Sequence, residues 1–292
     1  MTTIIFGING QDGYYLKSIL KADKHLVIGV SRSPEGDWIK GDIANYLFVE
    51  DIIKRYKPDY VFHLAANSTI QHYALFENHE TVSTGSLNIL ESVRLHCPKA
   101  KVFLSGSAMQ FKNDGLPIDE KTPFEANNPY SVARIQSVYA GRYYRSLGLN
   151  VYIGYFFHHD SPLRSDRHLN MHIIKTALKM KNGAKDILEI GNPDIVKEFN
   201  HAYDMMSAIW CLTKQEEVFE AVIGSGIGYS INNWIDICFN IIGLDRHKHM
   251  RLKSNYVADF SSLVSSPRII KSMGWVPTYD IQSLANDMID NG

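Results

Sequence analysis

Short apolar runs alternate with stretches of helical spacing through the first half of the chain. "TIIFG" (3–7) predicts a strand, and residues 12–22 predict a helix with Leu16, Ile19 and Leu20 on one face. "HLVIGV" (25–30) predicts a second strand, and "FVEDIIKRY" (48–56) an amphipathic helix ended by Pro58. The alternation continues with a strand at "YVFHLAA" (60–66) and a helix over 83–97, its Leu87, Leu90 and Val93 turned inward. It runs on through "KVFLSGS" (101–107), a helix from Pro129 to Gly148, and "NVYIGYFF" (150–157). Strands apolar on both faces, separated by helices, predict a parallel sheet with right-handed crossovers: a doubly wound α/β fold. Ligands of such sheets lie beyond the carboxyl ends of the strands.

The second half is less regular. Residues 172–180, 201–214 and 233–243 predict helices, and 186–192 and 220–226 short strands. The expected division is a dinucleotide-binding domain over 1–157. A smaller lobe over 158–292 follows, with some of its chain returning to the sheet.

Composition adds exclusions. Apolar residues make up 45% and charged residues 21%, as in an ordinary globular protein, and the net charge of −1 offers no general attraction to nucleic acid or anionic membrane. No apolar run approaches the ~20 residues that span a bilayer. "MTTIIFG" has neither the basic nor the long apolar region of a secretory leader. Cys97, Cys211 and Cys238 form no C-x-x-C pair, so a reducing cytoplasm is expected.

The chemistry begins at "GINGQDGYYL" (7–16), where Gly7, Gly10 and Gly13 give G-x-x-G-x-x-G between the first strand and the first helix. Glycines there let the backbone approach a pyrophosphate that faces a helix N-terminus. Asn9, Gln11 and Asp12 belong to the same loop. An acidic residue usually ends the second strand of an NAD site, to hold the ribose 2′-hydroxyl. Here Ser31 and Arg32 stand in its place, which favours NADP over NAD. Asp42 and Ile43, from "GDI", are expected beside the adenine, and Leu64, Ala65 and Ala66 at the end of the third strand.

With "PDYVFHLAA", "PFEANNPYSVAR", "FFHHDSPLR", "GNPDIVKEFNHAYD" and "MGWVP", the chain resembles the extended short-chain dehydrogenase/reductases that act on nucleotide sugars. Within them it is most similar to the GDP-mannose 4,6-dehydratase branch. The resemblance implies a Rossmann domain for NAD(P), a C-terminal lobe for a GDP-linked sugar, and hydride exchange at the sugar C4. It assigns Tyr130 as acid/base and Ser107 as its hydrogen-bonding partner. It places His159 and Arg164 with the cofactor, and His158, His172, Lys197 and Arg251 with the substrate. A phenol ionises near pH ~10 and needs a cation close by to serve as a base at neutral pH. Positions 130 and 134 lie one helical turn apart on one face.

Two positions depart from the branch. Position 134 is Arg where the branch has Lys, which keeps the charge and changes its shape. Met109 stands where the dehydratases carry the Glu that removes the C5 proton, and a thioether accepts no proton. Asp114 and Glu120 come too late in the following loop for that role. The residues therefore favour hydride transfer without dehydration: a 4-keto reductase, a 4-dehydrogenase or an epimerase. A dehydratase with another base, and a non-catalytic binder of dinucleotide or sugar nucleotide, remain as alternatives. His158, His159, His168 and His172 lack the spacing of metal ligands, so no metal is expected. The loop before "GD" is too short for the branch's tetramer contact. A homodimer through the helices 83–97 and 129–147 is expected.

Overall fold

Seven parallel strands form the central sheet of the computed structural model, which describes residues 1–33, 36–67, 69–254 and 256–292. They are β1 (Thr2–Phe6), β2 (Leu26–Ser31), β3 (Ile39–Lys40), β4 (Tyr60–His63), β5 (Lys101–Ser107), β6 (Asn150–Phe156) and the strand Glu220–Ile223. Their order across the sheet runs from Glu220–Ile223 through β6, β5, β4, β1 and β2 to β3. The order reverses between β1 and β4, so the loops after these strands part and leave a crevice.

Alternation along each strand feeds two cores. Ile4, Phe6, Val61, Val102 and Leu104 face one side, where helices Tyr46–Tyr56, Gly85–His96 and Pro129–Ser146 cover them. Ile5, Phe62 and Phe103 face the other, under helices Gln11–Ala22 and Ala202–Thr213. Each such side chain, removed from water, contributes roughly 1.5–3 kcal/mol. A third core belongs to the second half alone, where Met171, Ile174, Trp234, Ile235, Leu284 and Met288 join helices Leu169–Lys181, Ile231–Ile242 and Ile281–Asn291.

The chain after β6 therefore builds a lobe and also returns to the sheet. Glu220 fastens the returning strand to its neighbours. Its carboxylate accepts hydrogen bonds from Arg142, Arg145 and the Tyr155 hydroxyl at 2.6–2.9 Å.

One helix is turned from its expected phase. Helix Gly85–His96 buries Ser86, Ile89, Leu90 and Val93, and leaves Leu87 facing outward. The wide turn His79–Thr84 runs straight into this helix and sets its rotation. Among the described residues no helix is long and apolar enough to cross a membrane.

Candidate active site

Local sterics account for the glycine loop. Gly7 adopts φ +92°, and a Cβ there would lie 2.6 Å from the Ala65 backbone nitrogen after β4. A Cβ on Gly13 would lie 2.4 Å from the Gly7 carbonyl oxygen. These two glycines let β1, β4 and helix Gln11–Ala22 close on one another. Gly10 differs, because a Cβ there would meet only the Gly7 carbonyl, at 3.5 Å. Gly10 begins the helix, no side chain caps it, and the surface beside it is open. An uncapped helix N-terminus on an open glycine fits a pyrophosphate.

A crevice of about 380 Å³ extends from this point, bounded by Gly7, Asn9, Gly10, Ser31, Arg32 and Ile43, with Leu64, Ala65, Ala66 and Thr81 opposite. Thr81 carried no signal in the sequence. It reaches the crevice because the turn His79–Thr84 is anchored beneath it, its carbonyl 3.1 Å from His63 Nε2. Arg32 lies 3.1 Å from the Glu77 carboxylate, which also accepts a 2.7 Å hydrogen bond from Asn67. Asp42 is exposed and serves its own turn, accepting from the Ala44 amide at 2.9 Å. It is not among the residues that line the crevice.

The crevice continues past Gly10 into a second space of about 400 Å³. Ser107, Tyr130 and Arg134 meet there with Gln11, Asp12, His158, His159 and Arg164. Ser107 ends β5 and caps the turn Ala108–Gln110, accepting from the Met109 amide at 3.2 Å. Tyr130 sits in the first turn of helix Pro129–Ser146, whose start is fixed by the reciprocal Asn128–Ser131 cap. Arg134 follows one turn later and is 4% exposed. Its Nη1 donates to the Ser105 carbonyl and, at 2.7 Å, to the Ser105 hydroxyl. Its Cζ lies 5.0 Å from the centre of the Tyr130 ring, over the ring face. Its Nε has no hydrogen-bond partner among the described residues. That nitrogen is buried; what Arg134 offers the cleft it lines is the positive charge of its guanidinium, which suits the hydroxyls of a cofactor ribose. His63 lies behind it, and burial together with the Arg134 charge pushes its pKa down to about 3, so it stays neutral.

His159 lines the cleft with both ring nitrogens engaged, Nδ1 2.8 Å from the Phe157 carbonyl and Nε2 3.1 Å from Asp12. Burial works against both charges of this pair. The mutual attraction prevails, lowering the Asp12 pKa and raising that of His159. The pair ties the first turn of the glycine-loop helix to the chain after β6. Gln11 is spent in the same way, accepting from the Ser161 hydroxyl at 2.9 Å.

Beside this tie lies a buried polar cluster. Asp160 accepts from Arg164 Nε at 2.7 Å and from Asn170 Nδ2 at 2.8 Å, and His158 Nε2 is 3.6 Å away. Lys197 donates to Asn170 Oδ1 at 3.2 Å and sits 3.2 Å from His158 Nε2. Burial drives the His158 pKa far below its usual value, and brings that of Lys197 down to about 8.

The structure thus places Lys197 behind His158, where it braces the wall and does not line the cleft. It does not bring His172 or Arg251 to the cleft. Helix Leu169–Lys181 turns Asn170, Met171, Ile173 and Ile174 inward, so His172 falls on the exposed face. Arg251 is exposed on the strand Met250–Leu252, opposite Glu189. His168, Phe260 and Leu263 line the cleft without having been expected there. The latter two come from the segment that pairs Ser262–Leu263 with Val196–Lys197.

The model of the GDP-mannose 4,6 dehydratase family matches residues 4–288. The chain belongs to that family. A relative described as GDP-mannose 4,6 dehydratase 2, from Arabidopsis thaliana, is 26% identical over an alignment of 323 residues, spanning 98% of this chain and 85% of the relative. A GDP-mannose 4,6-dehydratase of Vibrio cholerae serotype O1 is 25% identical over 345 residues, with 98% and 92% coverage. The fold is shared with a Thermus thermophilus UDP-glucose 4-epimerase in complex with NAD, at a TM-score of 0.84 and 18% identity, covering 100% of this chain and 98% of that one. It is shared equally with RMD from Pseudomonas aeruginosa complexed with NADPH, at a TM-score of 0.84 and 20% identity, covering 99% and 96%. Met109 and Arg134, the two positions read in the sequence as departures from the branch pattern, both line the cleft.

Proposed function

We propose that the chain is an NADP-dependent oxidoreductase of a GDP-linked hexose, acting by hydride transfer at the sugar C4. The observation that supports it is the meeting of Ser107, Tyr130 and Arg134 in one cleft with the glycine loop, with a thioether at the family's carboxylate position. A nicotinamide dinucleotide held along Gly7, Gly10, Ser31 and Arg32 supplies or takes up the hydride. Tyr130 exchanges the proton of the C4 oxygen, and Ser107 donates a hydrogen bond to that oxygen and orients it. Arg134 contributes positive charge over the ring face and beside the cofactor ribose. The buried cluster around Asp160 holds the wall that faces the nucleotide sugar.

Preference for NADP rests on Arg32. Its present partner is an exposed ion pair with Glu77, and such pairs are worth ~0–1 kcal/mol. A 2′-phosphate offers more charge and more acceptors, at ~1.5–3 kcal/mol for one charge-assisted hydrogen bond. The phosphate therefore displaces Glu77. Arg32→Ala is expected to weaken NADPH binding tenfold or more and to leave NADH binding nearly unchanged, read by fluorescence titration of both. Equal losses for the two cofactors would refute the assignment.

A dehydratase reading is the second one, and Asp259 is the observation that favours it. Among the described residues it is the one carboxylate that lines the small chamber beside Met109. Heavy water separates the readings. With GDP-mannose and NADP+, the main reading expects no loss of water from the sugar and no deuterium at C5 by mass spectrometry. Deuterium at C5 with dehydration, abolished by Asp259→Asn, selects the second.

Leu87, Leu95, Tyr139, Tyr143 and Leu147 are exposed on or beside the adjacent helices Gly85–His96 and Pro129–Ser146, which supports a homodimer through that face in the cytoplasm. Sedimentation at the monomer mass, at micromolar concentration, would count against it.

A further inference from the structure

Ser105 stands two residues before Ser107 on β5 and is 4% exposed. Its hydroxyl donates to the His63 carbonyl of the neighbouring strand β4 at 2.9 Å, so its one proton is spent and its lone pairs are left to accept. Arg134 Nη1 donates to that hydroxyl at 2.7 Å and to the carbonyl of the same residue. Among the described residues no other group accepts from this guanidinium, and neither of these two acceptors is charged. The positive charge is therefore not cancelled within the wall, and it acts on the cleft that Arg134 lines.

Where that charge sits depends on Ser105. A lysine carries its charge on a compact ammonium with rotatable donors, whereas a guanidinium is a plane, and the plane must be held. Here it is held through one nitrogen, while Nε has no partner among the described residues. Rotation about that contact would carry Cζ away from its place 5.0 Å from the centre of the Tyr130 ring. The hydroxyl is the second acceptor that stops the rotation, and the carbonyl alone leaves it free. The backbone spacing suits this arrangement. Two residues of strand and four of helix each cover ~6–7 Å, so positions 105 and 107 on β5 match positions 130 and 134 on the helix. We infer that Ser105 is a positioning residue, which holds the Arg134 guanidinium over the Tyr130 ring and acts on the proton exchange through it. This rests on the hydride-transfer reading above.

The test is a double-substitution cycle read by single-turnover absorbance of the nicotinamide. It uses NADP+ with GDP-mannose in one direction and NADPH with GDP-4-keto-6-deoxymannose in the other. Ser105→Ala is expected to slow hydride transfer at saturating cofactor by about tenfold, while the NADPH Kd from fluorescence titration stays within about threefold of wild type. Ser105→Thr keeps the hydroxyl on a residue that suits a strand, and is expected to recover most of the rate. With Arg134→Lys already in place, Ser105→Ala is expected to change the rate by less than about twofold, because no plane is left to hold. A serine that only stabilised the strand would cost the same in both backgrounds. Should Ser105→Ala not fold, Ser105→Cys, nearly the same shape and a weak acceptor, takes its place in the cycle. Equal losses in the two backgrounds, no loss in either, or a loss that weaker NADPH binding accounts for, overturns the inference and leaves the hydride-transfer reading standing. No turnover by the wild type in either direction overturns that reading, and the inference with it.

Discussion

Tyr130→Phe is expected to abolish hydride transfer while leaving NADPH affinity within a few-fold of wild type. Phenylalanine keeps the ring over Arg134 Cζ and removes the hydroxyl that exchanges the proton. General acid–base groups of this kind contribute typically ~10²–10⁴-fold, so single-turnover absorbance should show the loss plainly. Arg134 makes the comparison informative. It holds Ser105 through one nitrogen and sets its charge against the Tyr130 ring, which a lysine would do with a single ammonium on a thinner stem. Arg134→Lys is expected to retain or raise activity. Arg134→Met removes the charge and is expected to lose both activity and cofactor affinity. Wild-type turnover by Tyr130→Phe would remove the acid/base assignment. A wild-type protein that binds a sugar nucleotide, yet never turns over in either direction, would establish the non-catalytic alternative.

What could be read in the sequence follows from what is local. The six longer strands of the sheet are contiguous apolar runs, and their faces alternate one residue at a time, so each run declares itself. The glycine loop is legible for the same reason, because Gly7 and Gly13 answer contacts within one turn and one neighbouring strand. The short strand Val196–Glu198 pairs with Gly228–Ser230 and with Ser262–Leu263, partners about thirty or more residues away along the chain, and none of the three has a pattern of its own. Phe260 and Leu263 arrive at the cleft through that pairing, which explains why sequence spacing does not place them there. His172 is a different case. The apolar residues Met171, Ile173, Ile174, Ala177 and Met180 of its helix are visible in the sequence; they turn inward and leave position 172 outside. Lys197 illustrates the limit of reading charge alone. Its position near the substrate lobe was legible, but its burial behind His158 depends on Asp160 and Asn170, which come from another segment.

That burial makes the Asp160 cluster the place where the lobe should be most sensitive to a single charge. Asp160 is 1% exposed. Burial works against its carboxylate, but His158 when charged, Arg164 and Lys197 outweigh it and hold its pKa at about 2. Removing one partner of a buried pair leaves the other uncompensated and costs ~3–5 kcal/mol. Asp160→Asn is therefore expected to lower stability by about that much at neutral pH, read from urea unfolding. The pH dependence has a definite sign. Asp160 is depressed, so its contribution is present above the unfolded carboxylate value and is lost as pH falls through about 2. Lys197 is depressed too, to about 8, so between there and its unfolded value the unfolded chain binds more protons and stability rises with pH. Without Asp160 the lysine loses the group that favours its charge, and this window extends to lower pH. The Asp160→Asn deficit should shrink between pH 7 and pH 9, as Lys197 sheds its proton. Adding Lys197→Met, which removes the stranded charge and keeps the stem, should recover a large part of it. A deficit that is the same at both pH values, and unrelieved by Lys197→Met, would mean that Asp160 acts through its hydrogen bonds to Arg164 and Asn170 and not through charge.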